Sequence, residues 1–396
     1  IITKSGARGL DRGRVLLGCL QPGQSSSVYA DALSRLADRL HYLNSSGDKS
    51  QDATRFWFDT RANLRREMEN RKQRFDDKTE VRGKISEALK KLVGSATSFD
   101  ALHVFTPHSD VPDDSALRLI VLSPESCHSR DLDQPAERTA TEYVRHNGDK
   151  PRHRGNRLIF LAADMAILPR LRDAARVVLA WASIVDDVKE GRLNIDLLQK
   201  KQAENELKSA EDVLPRAARE CYKWLLCPVQ HAPTDPKPLV EAFPLSSSGG
   251  TVGKEIEKVC DENELVISAW SPIHLRELLK QIYWKSDRSA IAAMTFWDDS
   301  QRYLYLPRLK HRDVLAAAIR TGVASRDFFG TAYGQNGDGF EGFQYGTGSV
   351  QLDDTLLLIH PEAAAEYAAK LAAVTPKEPA GGTSTDPLKP GAAPTT

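Results

Sequence analysis

The sequence predicts a mixed α/β protein, with an α/β unit in the middle of the chain and a mostly helical, winged-helix-like unit after it. Three observations carry this. Short apolar runs between residues 96 and 230 lead into amphipathic segments, the order expected of parallel strands joined by helices. Beyond residue 250 the apolar spacing is mostly three to four, followed by a glycine-rich aromatic stretch and one last strand. Between the two, Pro233, Pro236, Pro238, Pro244 and Gly249-Gly250 mark a linker over 231–250.

Taken in order, Arg14 to Leu20 is a short apolar run closed by Gln21-Pro22-Gly23, which reads as a buried strand. Ser25 to Ser27 can cap a helix whose apolar face is Leu33, Leu36, Ala37, Leu40 and Leu43. An aromatic cluster flanked by arginines, Arg55 to Arg61, precedes a charged helix expected from about Ala62 to Val93. Strands are expected at 101–105, 116–122 and 157–161. An amphipathic helix follows Asp164, and a second long one spans about Ile195 to Leu226, stopped by Pro228. After the linker, helices centre on Leu275 to Tyr283, Phe296 to Leu304 and Val314 to Ile319. A hairpin around Asn336-Gly337-Asp338-Gly339, a strand 355–359 and an Ala-rich helix complete the pattern. From about Val374 the composition is that of a disordered tail.

The chain has 396 residues with 54 Lys+Arg against 54 Asp+Glu, so no global field draws it to nucleic acid or membrane; any such contact needs a local patch. No apolar run is long enough for a membrane span, and a basic-then-apolar signal layout is absent. Five scattered cysteines suit a reducing, cytoplasmic setting with free thiols. The first residues are Ile1-Ile2, which suggests the distal piece of a longer protein.

Two glycine patterns fail as nucleotide cradles. In Gly249-Gly250-Thr251-Val252-Gly253-Lys254, Ser248 stands where a phosphate loop needs glycine and Glu255 where it needs a hydroxyl for Mg²⁺. Gly337 to Gly342 matches G-x-G-x-x-G, yet it opens no helix and carries Asp338 and Glu341 where phosphate would sit. No cysteine or histidine spacing fits a metal, and no nucleophile elbow occurs. No catalytic residue is assigned.

Charge concentrates in two places. Between Arg55 and Arg74, seven Lys/Arg face three acids, and Arg61 and Arg65 would stack two guanidinium forks on one face, the side chain suited to phosphate. The plain alternative is a solvated helix with Glu67–Arg71 pairing. In the C-terminal unit, Arg302, Arg308, Lys310, Arg312 and Arg320 lie near the second and third helices, where a winged helix contacts DNA. Winged helices also serve as protein-docking modules.

Several runs together resemble a known family: Leu17 to Gln24, Arg39 to Ser45, Arg55 to Arg66, Val177 to Ile184, Gln199 to Glu204 and Trp297 to Leu309. They are similar to the C-terminal portion of the large prokaryotic ATP-binding, AAA-like family known as domain-of-unknown-function family 499. The resemblance implies a P-loop ATPase of a phage-defence or restriction-type system whose ATP and Mg²⁺ are bound by an N-terminal part that this sequence lacks, so that this chain alone is not an active ATPase. It further implies that 1–95 is the distal part and lid of the ATPase module, 96–230 an α/β unit and 251–373 the winged-helix-like module, with 374–396 as tail. Arg61, Asn63, Arg65 and Arg66 are then candidates to sense nucleotide. Arg302, Arg308, Lys310 and Arg312 are candidates to touch DNA. The partners left open are DNA, a DNA methyltransferase or nuclease, and a second copy of the chain. The rival reading is a non-enzymatic scaffold or DNA-binding module that docks such an enzyme.

Overall fold

A computed structural model describes residues 9–40, 43–58, 63–94, 98–129, 134–193, 195–235, 237–246, 250–285, 288–326, 328–337, 339–347 and 349–374. The chain is mixed α/β and divides into two compact units, one of residues 1–267 with 300–310 and the other of 268–299 with 311–396.

The first unit begins with β1 (Leu10–Asp11), α1 (Arg12–Cys19), α2 (Ser26–Arg39), β2 (Leu43–Ser45) and β3 (Arg55–Phe58), the strands forming an antiparallel sheet in the order β1-β3-β2. Arg14 to Cys19 is thus helical rather than a strand, because Asp11 caps the turn by accepting from the Arg14 N–H at 2.9 Å. Next come α3 (Leu64–Lys72) and α4 (Arg82–Val93). The single helix expected over 62–93 is broken here: Asp76 accepts from the Lys78 and Thr79 N–H groups and starts a π-helical turn, Asp77–Val81.

The centre of the unit runs β4 (Ala101–Val104), β5 (Arg118–Val121), α5 (Pro135–Arg145), the small hairpin β6 (His146–Asn147) and β7 (Lys150–Pro151), β8 (Leu158–Ala163), α6 (Leu168–Lys189), α7 (Leu197–Cys221), β9 (Tyr222–Val229), β10 (Leu239–Pro244) and α8 (Val252–Glu262). Its sheet has the order β10-β9-β8-β5-β4. β4, β5 and β8 are parallel, as the alternating pattern predicts, while β9 and β10 add on antiparallel. Every residue of β5 and β8 is buried, so these strands read as continuous apolar runs.

Three boundaries move. The helix expected to reach Leu226 stops at Cys221, and Tyr222–Val229 is a strand whose two faces enter two different cores: Leu225 and Cys227 on one side, Trp224 and Leu226 on the other. A doubly buried strand has no period of two, so its apolar residues continued the helical stripe. The 231–250 stretch is not a free linker, since Leu239 to Pro244 pair with β9 along six residues. Helix α8, assigned by sequence to the last unit, packs Val252, Ile256, Val259 and Cys260 into the core of the first.

The second unit contains α9 (Pro272–Ile282), β11 (Ala290–Ala292), α10 (Ala293–Arg302, whose last turn belongs to the first unit), α11 (Arg312–Ala324), β12 (Gly330–Ala332), β13 (Gly334–Asn336), β14 (Gly339–Glu341), β15 (Leu357–Ile359) and α12 (Pro361–Val374). Its antiparallel sheet has the order β11-β15-β12, and β13 and β14 form the expected hairpin, with Gly337 at φ +58° in the turn. On α11, Gly322 is needed because an added Cβ would lie 2.3 Å from the Phe329 ring.

Candidate functional site

The candidate nucleotide-sensing residues separate when placed. Arg61 lies outside the described residues. Asn63 is the N-cap of α3: its side chain accepts from the Arg66 N–H and donates to the Leu43 carbonyl, so it serves the fold. Arg66 is half-buried and donates to the Asp38 carbonyl; Arg65 alone of the described set is exposed. Further along, Arg71 is buried against Glu67 (2.8 Å), Ser183 (2.7 Å) and Asp187 (2.6 Å), and Lys72 pairs with Asp173 (2.8 Å). Burial alone would lower the Arg71 pKa, but Glu67 and Asp187 outweigh it and hold it above the ordinary value. These groups fasten α3 to α6. The aromatic run does not back them either, because Phe56, Trp57 and Phe58 line an apolar hollow of about 410 Å³ with Leu33, Leu36 and Leu40.

The candidate DNA-contacting residues also divide. Arg308 is buried, at 6% exposure; its guanidinium donates to the carbonyls of Asn156, Leu265 and Pro228 and to the Cys227 sulfur, each at 2.8–3.0 Å. It has no reach to a phosphate, and that assignment falls. Lys310 is half-buried, and its carbonyl accepts from Arg157, whose guanidinium also donates to Ser115 and Leu309. Burial, with Arg308 nearby, pulls the Arg157 pKa down to about 10. Arg302 is exposed over the Tyr303 ring at 5.9 Å. Arg312 and Arg320 remain as exposed cations on α11. With Asp313, Ala316, Val350, Gln351 and Leu352 they line a groove of about 430 Å³, where Arg312 donates to the Leu352 carbonyl at 2.7 Å.

Among the described residues, the first glycine pattern runs into helix α8 and the second lies in the β13–β14 hairpin. Thr251 caps α8 through the Lys254 N–H, Gly253 is buried inside that helix, and the Glu255 carboxylate accepts from Ser246 N–H; Gly249 lies outside the described residues. No group of three His, Cys, Asp or Glu suited to a metal occurs among the described residues. Among the described residues, neither glycine pattern nor the placed arginines of α3 form a site that fits ATP·Mg²⁺.

Sequence reasoning missed a third place. Beyond the ends of β5 and β8, His128 N–H donates to the Ala163 carbonyl (2.7 Å) and Met165 N–H to the His128 carbonyl (3.0 Å), carrying the parallel pairing one step further. There a crevice of about 490 Å³ is lined by His128, Ser129, Asp164, Met165, Lys223 and Trp224. Asp164 accepts from Trp224 Nε1 and Lys223 Nζ, both at 3.0 Å, and from Ala166 N–H. Burial raises its pKa, but Trp224 and Lys223 outweigh that and hold the carboxyl below its ordinary range. The sequence signal was the aspartate closing an all-apolar strand, which says nothing until Lys223 is brought to it from 59 residues away. Compared with known proteins, the chain matches no family model, no curated protein and no solved structure.

Proposed function

We propose that this chain is the partner-engaging part of an ATP-binding, AAA-like protein, and that residues 268–299 and 311–374 form a winged-helix-type module that docks a protein through α11. The sequence resemblance supports the first half. One observation carries the second: the sheet order β11-β15-β12, with α9 before the first strand, α10 and α11 between the first two, and a hairpin before the last. A winged helix is assembled in that order, and α11 takes the place of the helix that faces a partner.

Charge favours a protein over DNA as that partner. The module carries eight Lys and Arg against twelve Asp and Glu, a net charge of −4, whereas a duplex is bound through released counterions on a basic surface. Arg312 and Arg320 instead offer two separated cations around a groove with Ala316, Val350 and Leu352, suited to an acidic segment of a methyltransferase or nuclease. DNA remains the alternative, because the same two arginines occupy the recognition helix. The test is fluorescence anisotropy of labelled duplex with the full chain, alongside co-purification with a candidate enzyme encoded beside it. Docking predicts little salt-dependent DNA binding and an enzyme complex lost in Arg312→Glu/Arg320→Glu. A steep salt dependence abolished by that double variant replaces docking with DNA binding.

A further inference from the structure

We propose that the crevice at the carboxyl ends of β5 and β8 binds a small heteroaromatic ligand of the nucleobase kind, gripped by an edge that offers an acceptor to Lys223 and a donor to Asp164. The inference rests on the first unit alone and is independent of the docking reading.

The backbone places Lys223 by a specific device. Ala162 pairs with Trp224 but Ala163 pairs with Tyr222, so Lys223 is an extra residue in β9, a β-bulge. Without it Tyr222 and Trp224 would share a face; with it Tyr222 joins the core containing Leu225, and Trp224 the one containing Leu226. The bulged lysine is turned onto Asp164, where its ammonium also lies 5.9 Å from the Trp224 ring. Bulges are concentrated beside functional sites because they re-aim one side chain in this way.

The polar capacity left over defines the ligand. A carboxylate has about four acceptor positions, and Asp164 uses three, on Trp224, Lys223 and Ala166. An ammonium has about three donors, and Lys223 spends one on Asp164. Among the described residues, the pair therefore presents an acceptor beside donors while its charges cancel. A bare phosphate or carboxylate gains little from a neutral pair and is repelled by Asp164. An uncharged edge with acceptor and donor side by side, such as N1 and the amino group of adenine, satisfies both. The rest of the wall is Ser129, the apolar Met165, Ala166 and Ile167, and the rings of His128 and Trp224, whose centroids are 4.4 Å apart. A volume near 490 Å³ accommodates a nucleoside, and crevices beyond the carboxyl ends of parallel strands are where α/β sheets hold small ligands.

The test uses the full chain with ¹⁵N-labelled indoles. The Trp224 Nε1–H resonance, assigned with Trp224→Phe, is titrated with adenosine, cytidine, guanosine and uridine, and separately with L-glutamate and inorganic phosphate. This proton reports directly, since it is donated to Asp164. The expected result is a saturable shift with at least one nucleoside, weakened at least about tenfold in Lys223→Met and in Asp164→Asn. Met165→Trp, which fills the crevice from a side chain 41% exposed, abolishes it with an unchanged melting curve. If Lys223→Met fails to fold, Met165→Trp decides alone. No shift with any nucleoside, a shift surviving Met165→Trp, or saturable binding of glutamate or phosphate in place of nucleosides overturns the proposal.

Discussion

Helices α3 and α11 both carry basic residues that stand out in the sequence, and they use them in opposite ways. On α3, Arg71 and Lys72 are paired with Asp187 and Asp173 of α6. On α11, Arg312 and Arg320 line a groove with Asp313, and Arg312 donates to the Leu352 carbonyl and lies near enough to Asp353 to attract it. Local charge density was higher around α3, yet its Arg71 and Lys72 are paired and Arg65 stays exposed, whereas Arg312 and Arg320 of α11 are both exposed. What separates them is the facing element. An acid on a helix a hundred residues later converts a basic run into a clamp, and nothing in the run itself announces this.

The contrast yields predictions in descending size. Arg308, which ties the 300–310 segment to the first unit, is the extreme clamp. Arg308→Ala takes the guanidinium donor away from three buried carbonyls and lowers stability by about 3–5 kcal/mol, read by chemical denaturation. A loss comparable to an exposed substitution would mean the segment is held by its apolar contacts alone. Arg71→Ala follows, at roughly 1–3 kcal/mol, because Glu67 and Asp187 lose their shared partner on a half-shielded surface.

The same clamp has a pH signature. Burial raises the Asp187 pKa, but Arg71 and Arg192 outweigh it and hold the carboxyl below its ordinary 3.8. The stability this supplies is present above that value and disappears as pH falls through the lowered native one. The melting-temperature gap between wild type and Asp187→Asn is therefore expected to be widest near neutrality and to close as pH falls below the ordinary carboxylate range. A gap independent of pH would show that the pair works through packing.

Thiol chemistry sharpens the division between core and surface. Burial pushes the Cys221 and Cys260 thiols up to about 12 and raises Cys127, while Cys19 is exposed. A native chain at neutral pH should release one fast equivalent in a thiol assay and all five only after unfolding; two or more fast thiols would reveal an opening of the main core. At the bottom of the scale, Arg312→Ala and Arg320→Ala should each change stability by less than about 0.5 kcal/mol. A larger loss would make α11 a clamp as well and remove the contrast with α3.

Much of the architecture was readable beforehand, for identifiable reasons. Strands β5 and β8 announced themselves because each is buried on both faces and leads toward a helix, while half-buried β4 was read from its short apolar run alone. The β13–β14 hairpin was visible because its turn holds Gly337 at positive φ. The errors fell where two structures share one apolar pattern. Arg14 to Cys19 had a strand's composition until the Asp11 cap made it a helix, and β9 continued the stripe of α7 past Cys221. The site was less legible still. Asn63, Arg66 and Arg308 looked like ligand contacts but serve carbonyls and a helix cap, whereas Asp164 and Lys223 attracted no notice.

The sequence by itself determined the mixed α/β class and the order of most strands and helices, because these depend on local periodicity. Only the tertiary structure decided which arginines are spent inside, where the two units divide, and that a bulged lysine meets an aspartate beyond the sheet. Those outcomes depend on partners far apart along the chain, and no window of sequence contains both halves of such a pair.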